Sequence, residues 1–481
     1  MASNTPLIVS RKRKDLPQLL NVPVVDINSK GKAVAKSENL VVFVDHAVPG
    51  DVIDIQITKK KKNYSEGRVI KVQKESTDRV EAFCKHFGIC GGCKWQNLDY
   101  KAQLKYKESW IVQNFRKIGG IDVPEILPIL GSANTKHYRN KLEFTFSNKK
   151  WLTQSQMEHL KAGTLPEDHE QNGLGLHLTG MFDKVLDLEE CFLQREPSNA
   201  IRLAIREFAL EHGLSFFDIR QQKGLLRTLI IRTASTGDLM VILSFFRDDT
   251  KNINALLEFL SSEFPEITSL MYVVNSKKND TISDLTIKPY TGQDHIIEEI
   301  NGLKFKVGPK TFFQTNSEQA AELYKVVADF AEVKNTEVVY DLYTGSGTIA
   351  NYLAKSAQKV VGLEYIPESI ENAKENALLN GIENTAFHAG DIRDLMSEDF
   401  LKENGAPDVI ITDPPRSGMH GDVVKKIAEI KPNRIVYVSC DSATQARDVA
   451  LLTDYRVAKM QPVDMFPHTS HVENVALLVA I

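Results

Sequence analysis

The hydrophobic and polar positions of the chain fall into three successive patterns. Between about residues 20 and 75, short runs rich in Val, Ile and Phe are broken by Gly, Pro and Asn. Regularly spaced strands of this kind are typical of a small barrel of OB type, a common oligonucleotide-binding shape, although a plain β-barrel would look similar. The stretch from about 94 to 305 mixes strand-like and helix-like segments, and from about 306 onward strands and helices alternate.

The middle pattern predicts an α+β domain. Its expected strands are LEFTFS, LRTLIIRTA, LMVILSFF and LMYVVN. Helical spacing of apolar residues is seen in KAQLKYKESWIVQNFRKIG, NAIRLAIREFALEHG and NINALLEFLSSEF. The stretch 150–172 has no clear period, and we expect a surface loop there.

The last pattern predicts a Rossmann-like domain. The expected strands are VVYDL, VVGLE, AFHAGD, VIITDPPR, RIVYVSC and NVALLVA, with helices between them. That order implies a parallel, doubly wound α/β sheet, which binds ligands outside the carboxyl ends of its strands. We therefore expect a multidomain protein with an OB-like β-barrel at 14–75, a central α+β domain at 76–305 and a Rossmann-like domain at 306–481.

Composition narrows the class of protein. The 481 residues are 42% hydrophobic and 25% charged, which is ordinary for a globular chain of a few domains. We find neither an apolar stretch long enough for a membrane span nor a secretory leader, and we expect a cytoplasmic protein.

Charge is distributed unevenly along the chain. The net charge is −4, yet residues 1–80 contain 15 Lys and Arg against 9 Asp and Glu, a local excess of +6 that includes the run Lys59–Lys62. A basic module on an acidic body suits a protein that contacts a phosphate backbone with one part. Taken alone, a lysine run is more often a solvated loop.

Three of the five cysteines lie within ten residues, as Cys84-x5-Cys90-x2-Cys93 on a glycine-rich loop. Cys191 is the plausible fourth sulfur outside the C-terminal pattern. Four thiolates suit a [4Fe-4S] cluster or a structural zinc ion. Zinc sites more often use paired C-x2-C knuckles, so the spacing favours the cluster. Cys440 remains apart from this set.

A glycine turn follows the first strand of the last pattern, within the segment Asp341–Thr348. Glycines let the backbone approach a ligand, and Glu364 ends the next strand, where a carboxylate can accept both ribose hydroxyls. Because Ala350 stands where a dinucleotide fingerprint has its third glycine, S-adenosyl-L-methionine fits better than NAD. Asp391 follows the third strand, where it can either meet the adenine or cap the next helix.

The motif Asp413-Pro-Pro-Arg416 follows the fourth strand. In methyltransferases that act on exocyclic amines, the analogous motif usually ends in an aromatic residue that stacks on the base. Arg416 stands at that position here, which disfavours N-methylation and leaves methylation at carbon.

Cys440 ends the fifth strand and Glu473 precedes the last one. A thiolate that adds to C6 of uracil turns C5 into an enolate carbon able to attack a methyl sulfonium. A base must then remove the C5 proton, and Glu473 is the candidate. Taken singly, such a cysteine is usually an inert buried thiol and such a glutamate a surface carboxylate. Their joint placement on one side of the sheet favours catalysis.

Five motifs together resemble a known family. They are FFQTN (Phe312 to Asn316), DLYTGSGT, DPPR, VSCD and HVEN. The set resembles the RNA uracil-5-methyltransferases over nearly the whole chain. The basic β module and the four outer cysteines are similar to the RumA-type 23S rRNA branch of that family, which carries a TRAM domain and a [4Fe-4S] cluster.

The resemblance implies a role for each motif residue. It makes Cys440 the nucleophile and Glu473 the proton acceptor. Contacts to the cofactor or the target base are implied for Gln314, Tyr343, Glu364 and Asp413. The cluster ligands would be Cys84, Cys90, Cys93 and Cys191.

We therefore predict transfer of a methyl group from S-adenosyl-L-methionine to C5 of a uridine in 23S rRNA, with RNA as the partner and no obligate protein partner. The uridine must be flipped out of its stack to expose C5 and C6. Three alternatives stay open. One is an RNA cytosine-5-methyltransferase, although such enzymes often have Thr where this chain has Ser439. The others are a tRNA uracil-5-methyltransferase and a non-enzymatic iron–sulfur RNA-binding protein.

Overall fold

The computed structural model describes residues 16–38, 40–152, 154–164, 166 and 170–481. The described residues up to Ala82, together with Lys94–Ala102, form one compact unit, and Phe83–Cys93 with Gln103–Ile481 form a second. The predicted boundary at 305 lies inside the second unit, and the three-domain division stays a prediction. None of the helices in the described ranges has the length and apolar character that a membrane span needs.

The first unit contains a closed five-stranded barrel. Its strands are β1 (Gln18–Ile27), β2 (Ala33–Ser37), β3 (Leu40–Val44), β4 (Val52–Lys60) and β5 (Ser65–Lys74), in the order β1-β2-β3-β5-β4. The core consists of small and β-branched side chains, among them Val24, Ala35, Val42, Ile53 and Ile55. Lys59 and Lys60 end β4, and all four lysines of the run are exposed. The predicted barrel is confirmed.

A helix leads into the second unit. It is α1 (Tyr100–Asn114), and a π-helical turn over Phe115–Gly119 continues it. The helix predicted for this segment is confirmed. A two-residue strand, β6 (Glu125–Ile126), follows.

A seven-stranded sheet forms the middle of the chain. Its strands are β7 (Lys141–Ser147), β8 (Gly173–Leu178), β9 (Met181–Asp187), β10 (Leu226–Thr233), β11 (Leu239–Phe245), β12 (Ser269–Val274) and β13 (Lys288–Gly292), in the order β13-β12-β11-β10-β7-β8-β9. The helices of this region are α2 (Gln154–Ala162), α3 (Ser198–Glu211) and α4 (Thr250–Glu263). Apolar side chains of α3 and α4 share a core with the sheet. The strands and helices predicted for this α+β region are confirmed.

The opposite face of this sheet is also covered. The hairpin β14 (Ile296–Ile300) and β15 (Leu303–Val307) and the helix α5 (Ser317–Ala331) pack there in a second core. Burial on both faces explains why β11 is an almost continuous apolar run rather than an alternating pattern.

The C-terminal part is built on an eight-stranded sheet. Its remaining strands are β16 (Val338–Leu342), β17 (Lys359–Glu364), β18 (Thr385–Ala389), β19 (Val409–Thr412), β20 (Arg434–Ser439), β21 (Tyr455–Val463) and β22 (Glu473–Ala480). The order is β18-β17-β16-β19-β20-β22-β21-β6. The helices are α6 (Thr348–Ala354), α7 (Pro367–Leu379), α8 (Ile392–Leu395), α9 (Glu398–Asn404), α10 (Gly421–Ile430) and α11 (Ser442–Val449).

The prediction of an all-parallel sheet is wrong at its C-terminal side. β16 to β20 are parallel, but β22 runs antiparallel between β20 and β21. β21 was not predicted. An apolar run such as NVALLVA shows that a strand is buried but carries no information about its direction.

The prediction of a loop at 150–172 is also wrong in part, because α2 occupies Gln154–Ala162. Its Met157 and Leu160 side chains are exposed. A helix that buries no apolar face has no 3.6-residue period, which is why the pattern did not reveal it. Residues 165 and 167–169 of the predicted loop lie outside the described residues.

A buried ion pair ties α1 to the chain segment that follows β21. Lys107 Nζ donates to Asp464 Oδ1 at 2.6 Å, and both side chains are fully buried. Lys107 Nζ also donates to the carbonyl of Phe466 at 3.1 Å, and Asp464 Oδ1 accepts from the Phe466 amide at 3.1 Å.

Replacing Asp464 by Ala should lower the free energy of unfolding by about 3–5 kcal/mol, because it removes the carboxylate partner of a buried ammonium group. Urea unfolding followed by far-UV circular dichroism measures this. The matched control is Asp399→Ala, which breaks the exposed pair between Lys402 and Asp399 and should leave the midpoint unchanged. Equal effects of the two substitutions would contradict the assignment.

Candidate active site

The carboxyl ends of five parallel strands meet at one edge of the eight-stranded sheet, and β22 begins at the same edge. Five of the predicted site residues end or directly follow one of these strands: Tyr343, Glu364, Asp391, Asp413 and Cys440. This edge is where open α/β sheets bind their ligands.

The antiparallel ladder between β20 and β22 brings Cys440 and Glu473 together. Ser439 pairs with Asn474 at the last position of this ladder, Cys440 directly follows Ser439, and Glu473 directly precedes Asn474. The charges of Glu473 and Asp413 both act on the Cys440 thiol. The structure thus gathers these three predicted residues at one place.

Side-chain hydrogen bonds hold the backbone on either side of this pair. Asn474 Nδ2 donates to Gln445 Oε1 at 2.8 Å, and Gln445 Nε2 donates to the carbonyl of Tyr437 at 2.8 Å. The Asp441 side chain caps α11 by accepting from the amide of Ala443 at 3.0 Å. These contacts restrict the chain directly before and after Cys440.

Burial makes the acidic groups of the site retain their protons. It raises the pKa of Glu473 to about 8, and the nearby Asp413 charge contributes to that rise. Burial, with Asp341 close by, raises the pKa of Asp413 to about 7. Burial and the Glu473 charge raise the pKa of the Cys440 thiol to about 11. Near neutral pH the thiol therefore keeps its proton.

Arg416 is the cation that faces this acidic group. The Arg416 guanidinium lowers the pKa of the Cys440 thiol against the effect of burial, and its charge also lowers the pKa of Glu473. Arg416 Nη2 lies 2.6 Å from His471 Nδ1. Sequence reasoning gave neither Arg416 nor His471 a role, although both stand inside the motifs DPPR and HVEN.

The glycine turn after β16 forms a cradle suited to a nucleoside. Gly345 has a φ of +54°, and a side chain there would project into open space. Its amide donates to Glu364 Oε2 at 3.3 Å, while the Ile366 amide donates to Glu364 Oε1 at 3.0 Å. Each carboxylate oxygen keeps capacity for a further hydrogen bond, as ribose hydroxyls would require.

Asp341, at the end of β16, holds this turn through a side-chain hydrogen bond, a role that sequence reasoning missed. Its carboxylate accepts from Thr344 Oγ1 at 2.6 Å and is fully buried. Burial raises its pKa to about 7.

Three predicted contacts have other partners in the structure. Asp391 caps α8 and forms an ion pair with Arg393, whose hydrogen bond lowers the Asp391 pKa to about 2. Burial raises the pKa of the Tyr343 hydroxyl to about 12, and the backbone of His420 partly offsets this rise. Gln314 is half-buried on the loop before α5, and its carbonyl accepts from Asn140 Nδ2 at 2.8 Å. Their roles at a ligand stay predictions.

The four outer cysteines lie apart from this edge. All five cysteines belong to the described residues, and none forms a disulfide. Cys90 and Cys93 pack against the core that contains Cys191, and burial, with the Cys191 and Cys84 thiols nearby, raises the pKa of Cys90 to about 11. Within the described ranges no three His, Cys, Asp or Glu side chains are grouped closely enough to hold a metal ion. A metal centre here stays a prediction.

Comparison with known families decides the identity of the chain. Residues 236–481 match the family described as tRNA (Uracil-5-)-methyltransferase, and residues 18–70 match the TRAM domain. The chain belongs to the RNA uracil-5-methyltransferase family.

Bacterial relatives extend this match over the whole methyltransferase. A protein of Bacteroides thetaiotaomicron is 54% identical, covering 94% of this chain and 99% of its own length. One of Porphyromonas gingivalis is 52% identical, covering 95% and 99%. Both are named uncharacterized RNA methyltransferase.

A solved structure agrees in fold. The tRNA (uracil-54, C5)-methyltransferase of Pyrococcus abyssi, in complex with S-adenosyl-L-homocysteine, superposes with a TM-score of 0.73 at 27% identity. The match covers 96% of this methyltransferase and 100% of the archaeal chain. The predicted resemblance to the RNA uracil-5-methyltransferases, the TRAM barrel and the Rossmann-like methyltransferase fold are confirmed.

The pKa of Glu473 predicts how the stability of the methyltransferase depends on pH. The value is about 8 in the folded protein and near 4.5 for an exposed glutamate. Between these values the folded state binds more protons than the unfolded one, so the free energy of unfolding falls as pH rises from about 5 to 8.

Glu473→Gln should remove part of this slope. The free energy of unfolding of the variant minus that of the parent should therefore be greater at pH 8.5 than at pH 5 by at least about 1 kcal/mol. Urea unfolding at several pH values measures the slope. Glu263→Gln, an exposed position with an ordinary environment, should keep the slope of the parent. A Glu473→Gln variant with the parental slope would contradict the burial argument.

Proposed function

We propose that this methyltransferase transfers a methyl group from S-adenosyl-L-methionine to C5 of a uridine in 23S rRNA, through a covalent adduct between Cys440 and C6. The observation that carries the proposal is the placement of Cys440 and Glu473 together at the end of the β20–β22 ladder, with Asp413 and Arg416 beside them. A nucleophile and a base at one point are what methylation at an unactivated ring carbon needs.

The reaction can be written with the residues of this site. The Cys440 thiol loses its proton to solvent, and the thiolate adds to C6 while the electron pair of the C5–C6 double bond moves into an enolate. S-Adenosyl-L-methionine, when bound, supplies the methyl group that C5 attacks. Glu473 then accepts the C5 proton, the double bond re-forms, and the thiolate of Cys440 leaves. Glu473 must be ionised to act.

The cradle after β16 is where we place the methyl donor. Glu364 would accept the ribose hydroxyls, and the open space at Gly345 would allow close approach of the ligand. Gln314, Tyr343 and Asp413 remain the proposed contacts to the donor or to the target base.

The choice between rRNA and tRNA depends on the N-terminal half. Exposed lysines at the end of β4 and the four outer cysteines favour the 23S rRNA branch. A second candidate is tRNA methylation, because the archaeal enzyme that covers 96% of this chain is a tRNA methyltransferase. Because a tRNA enzyme matches nearly the whole of this chain, the presence of an N-terminal module does not by itself indicate an rRNA substrate.

We also propose that Cys84, Cys90, Cys93 and Cys191 hold a [4Fe-4S] cluster. Four thiols around one loop and its neighbouring core are the donor set that such a cluster uses. Positive charge from iron would offset the burial that raises the pKa of Cys90 and of Cys191. No step of the methyl transfer passes through the cluster.

Labelled S-adenosyl-L-methionine with unmodified 23S rRNA should give label in 5-methyluridine, and Cys440→Ala should reduce transfer more than about 10³-fold. Glu473→Gln should instead accumulate a protein–RNA adduct that survives denaturing electrophoresis, because the thiolate cannot leave until the C5 proton is removed. Cys440→Ala/Glu473→Gln is the matched control and should give no adduct.

Each other outcome changes the proposal in a defined way. Label in tRNA alone would select the second candidate, and label in 5-methylcytidine would move the reaction to cytosine. A Glu473→Gln variant that turns over normally would overturn the role of Glu473. Absence of label on any RNA would overturn the activity.

Protein purified without oxygen should contain about four iron and four sulfide per chain. Cys191→Ser should lose most of the iron, whereas Cys440→Ser, which lies outside the proposed ligand set, should retain it. Elemental analysis and the visible absorption spectrum measure both. If the analysis finds one zinc ion per chain and no iron, the proposed cluster is wrong and the four cysteines form a structural zinc site.

A further inference from the structure

Arg416 lies where it can face three different groups. The guanidinium lies close enough to the Cys440 thiol and to Glu473 for its charge to act on both. Its Nη2 atom is 2.6 Å from His471 Nδ1. The Arg416 side chain is exposed, and an exposed arginine has many rotamers of similar energy. Some contact must therefore select the rotamer that points at the thiol.

His471 is suited to make that selection because its own position is restricted. Its amide donates to Thr469 Oγ1 at 3.2 Å, and Thr469 Oγ1 donates to the carbonyl of Phe466 at 2.8 Å. The Phe466 ring packs edge-on against the imidazole, with ring centroids 6.2 Å apart. The imidazole thus projects from a hydrogen-bonded turn two residues before Glu473.

The chemistry of the pair sets the direction of the hydrogen bond. A guanidinium has donors only, so the imidazole must supply the acceptor, and Arg416 Nη2 lies nearer to His471 Nδ1, at 2.6 Å, than to Nε2, at 3.4 Å. The main chain of Arg416 is held separately, because its carbonyl accepts from Thr444 Oγ1 at 3.2 Å. With the carbonyl held by α11 and the guanidinium by His471, both ends of Arg416 are fixed.

We infer that His471 is a positioning residue, whose imidazole Nδ1 holds the Arg416 guanidinium against the Cys440 thiol so that the thiolate forms there. A charge-assisted hydrogen bond from the guanidinium stabilises a thiolate more than a thiol. His471 takes no proton from the thiol and makes no bond to the substrate. The inference deepens the proposed function, since it concerns how the nucleophile of that reaction is generated.

The test measures ionisation of the thiol without RNA or methyl donor. The full chain is alkylated with iodoacetamide over a range of pH, and the extent of reaction is read at the peptide that contains Cys440 by mass spectrometry. The groups that act on the thiol are Glu473 from β22 and Asp413 and Arg416 from the loop after β19. Arg416→Met should shift the midpoint of the profile upward by about one pH unit or more.

His471→Ala should shift the midpoint in the same direction, by about half a unit or more. His471→Asn should restore much of the parental profile, because the amide oxygen of Asn can stand where Nδ1 accepts. His471→Ala should add little to Arg416→Met in the double variant, since both act through one guanidinium. His212→Ala, an exposed histidine at the end of α3, is the matched control and should leave the profile unchanged.

Two results would overturn the inference. One is an alkylation profile for His471→Ala that matches the parent in a folded protein, as judged by circular dichroism. The other is additive shifts in the double variant. Because the readout involves no RNA, a failure of this inference is distinguishable from a failure of the proposed methylation, and the reverse also holds.

Discussion

The antiparallel course of β22 is the constraint on which the site depends. Its first residue is Glu473, which lies close to Cys440 at the carboxyl edge of the sheet. A parallel strand in the same place would begin at the opposite edge, and its eight residues at about 3.3 Å each would put the carboxylate more than about 20 Å from the thiol. The reversal of direction after β21 therefore creates the pair of groups that the chemistry needs.

The segment that makes this reversal, residues 464–472, must be rigid if the pair is to keep its geometry. It is held by side chains from widely separated parts of the second unit. Lys107 binds Asp464, Asn316 Nδ2 donates to the carbonyl of Met465 at 3.0 Å, and the Tyr138 hydroxyl donates to that of Pro467 at 3.0 Å. Gln103 Oε1 accepts from the amide of His468 at 2.9 Å. The helix α1, the loop before β7 and the FFQTN loop thus all act on the segment that carries His471 and Glu473.

Sequence reasoning found the parts of the site that depend on local pattern. Strand–helix alternation places Glu364, Asp413 and Cys440 at strand ends whatever the details of packing, and the barrel follows from turn spacing. Sequence reasoning missed the features that depend on contacts between residues far apart in the sequence. The direction of β22, the buried pair of Lys107 with Asp464 and the contact between Arg416 and His471 join residues that are tens to hundreds of positions apart. The helix α2 was missed for another reason, because its exposed side chains show no 3.6-residue hydrophobic period.

Crowding of acidic groups explains how one site can hold both a nucleophile and a base. Glu473 is buried, and Asp413 and Cys440 are half-buried beside it. The charge of Asp413 disfavours ionisation of Glu473, and both carboxylates disfavour ionisation of the thiol. Arg416 alone does not make it favourable for the thiol and Glu473 to be charged at once. In the proposed reaction, sulfur becomes a neutral thioether when it adds to C6, and the uracil ring is neutral again after methyl transfer. The adduct therefore places no negative charge beside Glu473 at the stage when the C5 proton must leave, and the charge of Arg416 favours the ionised carboxylate.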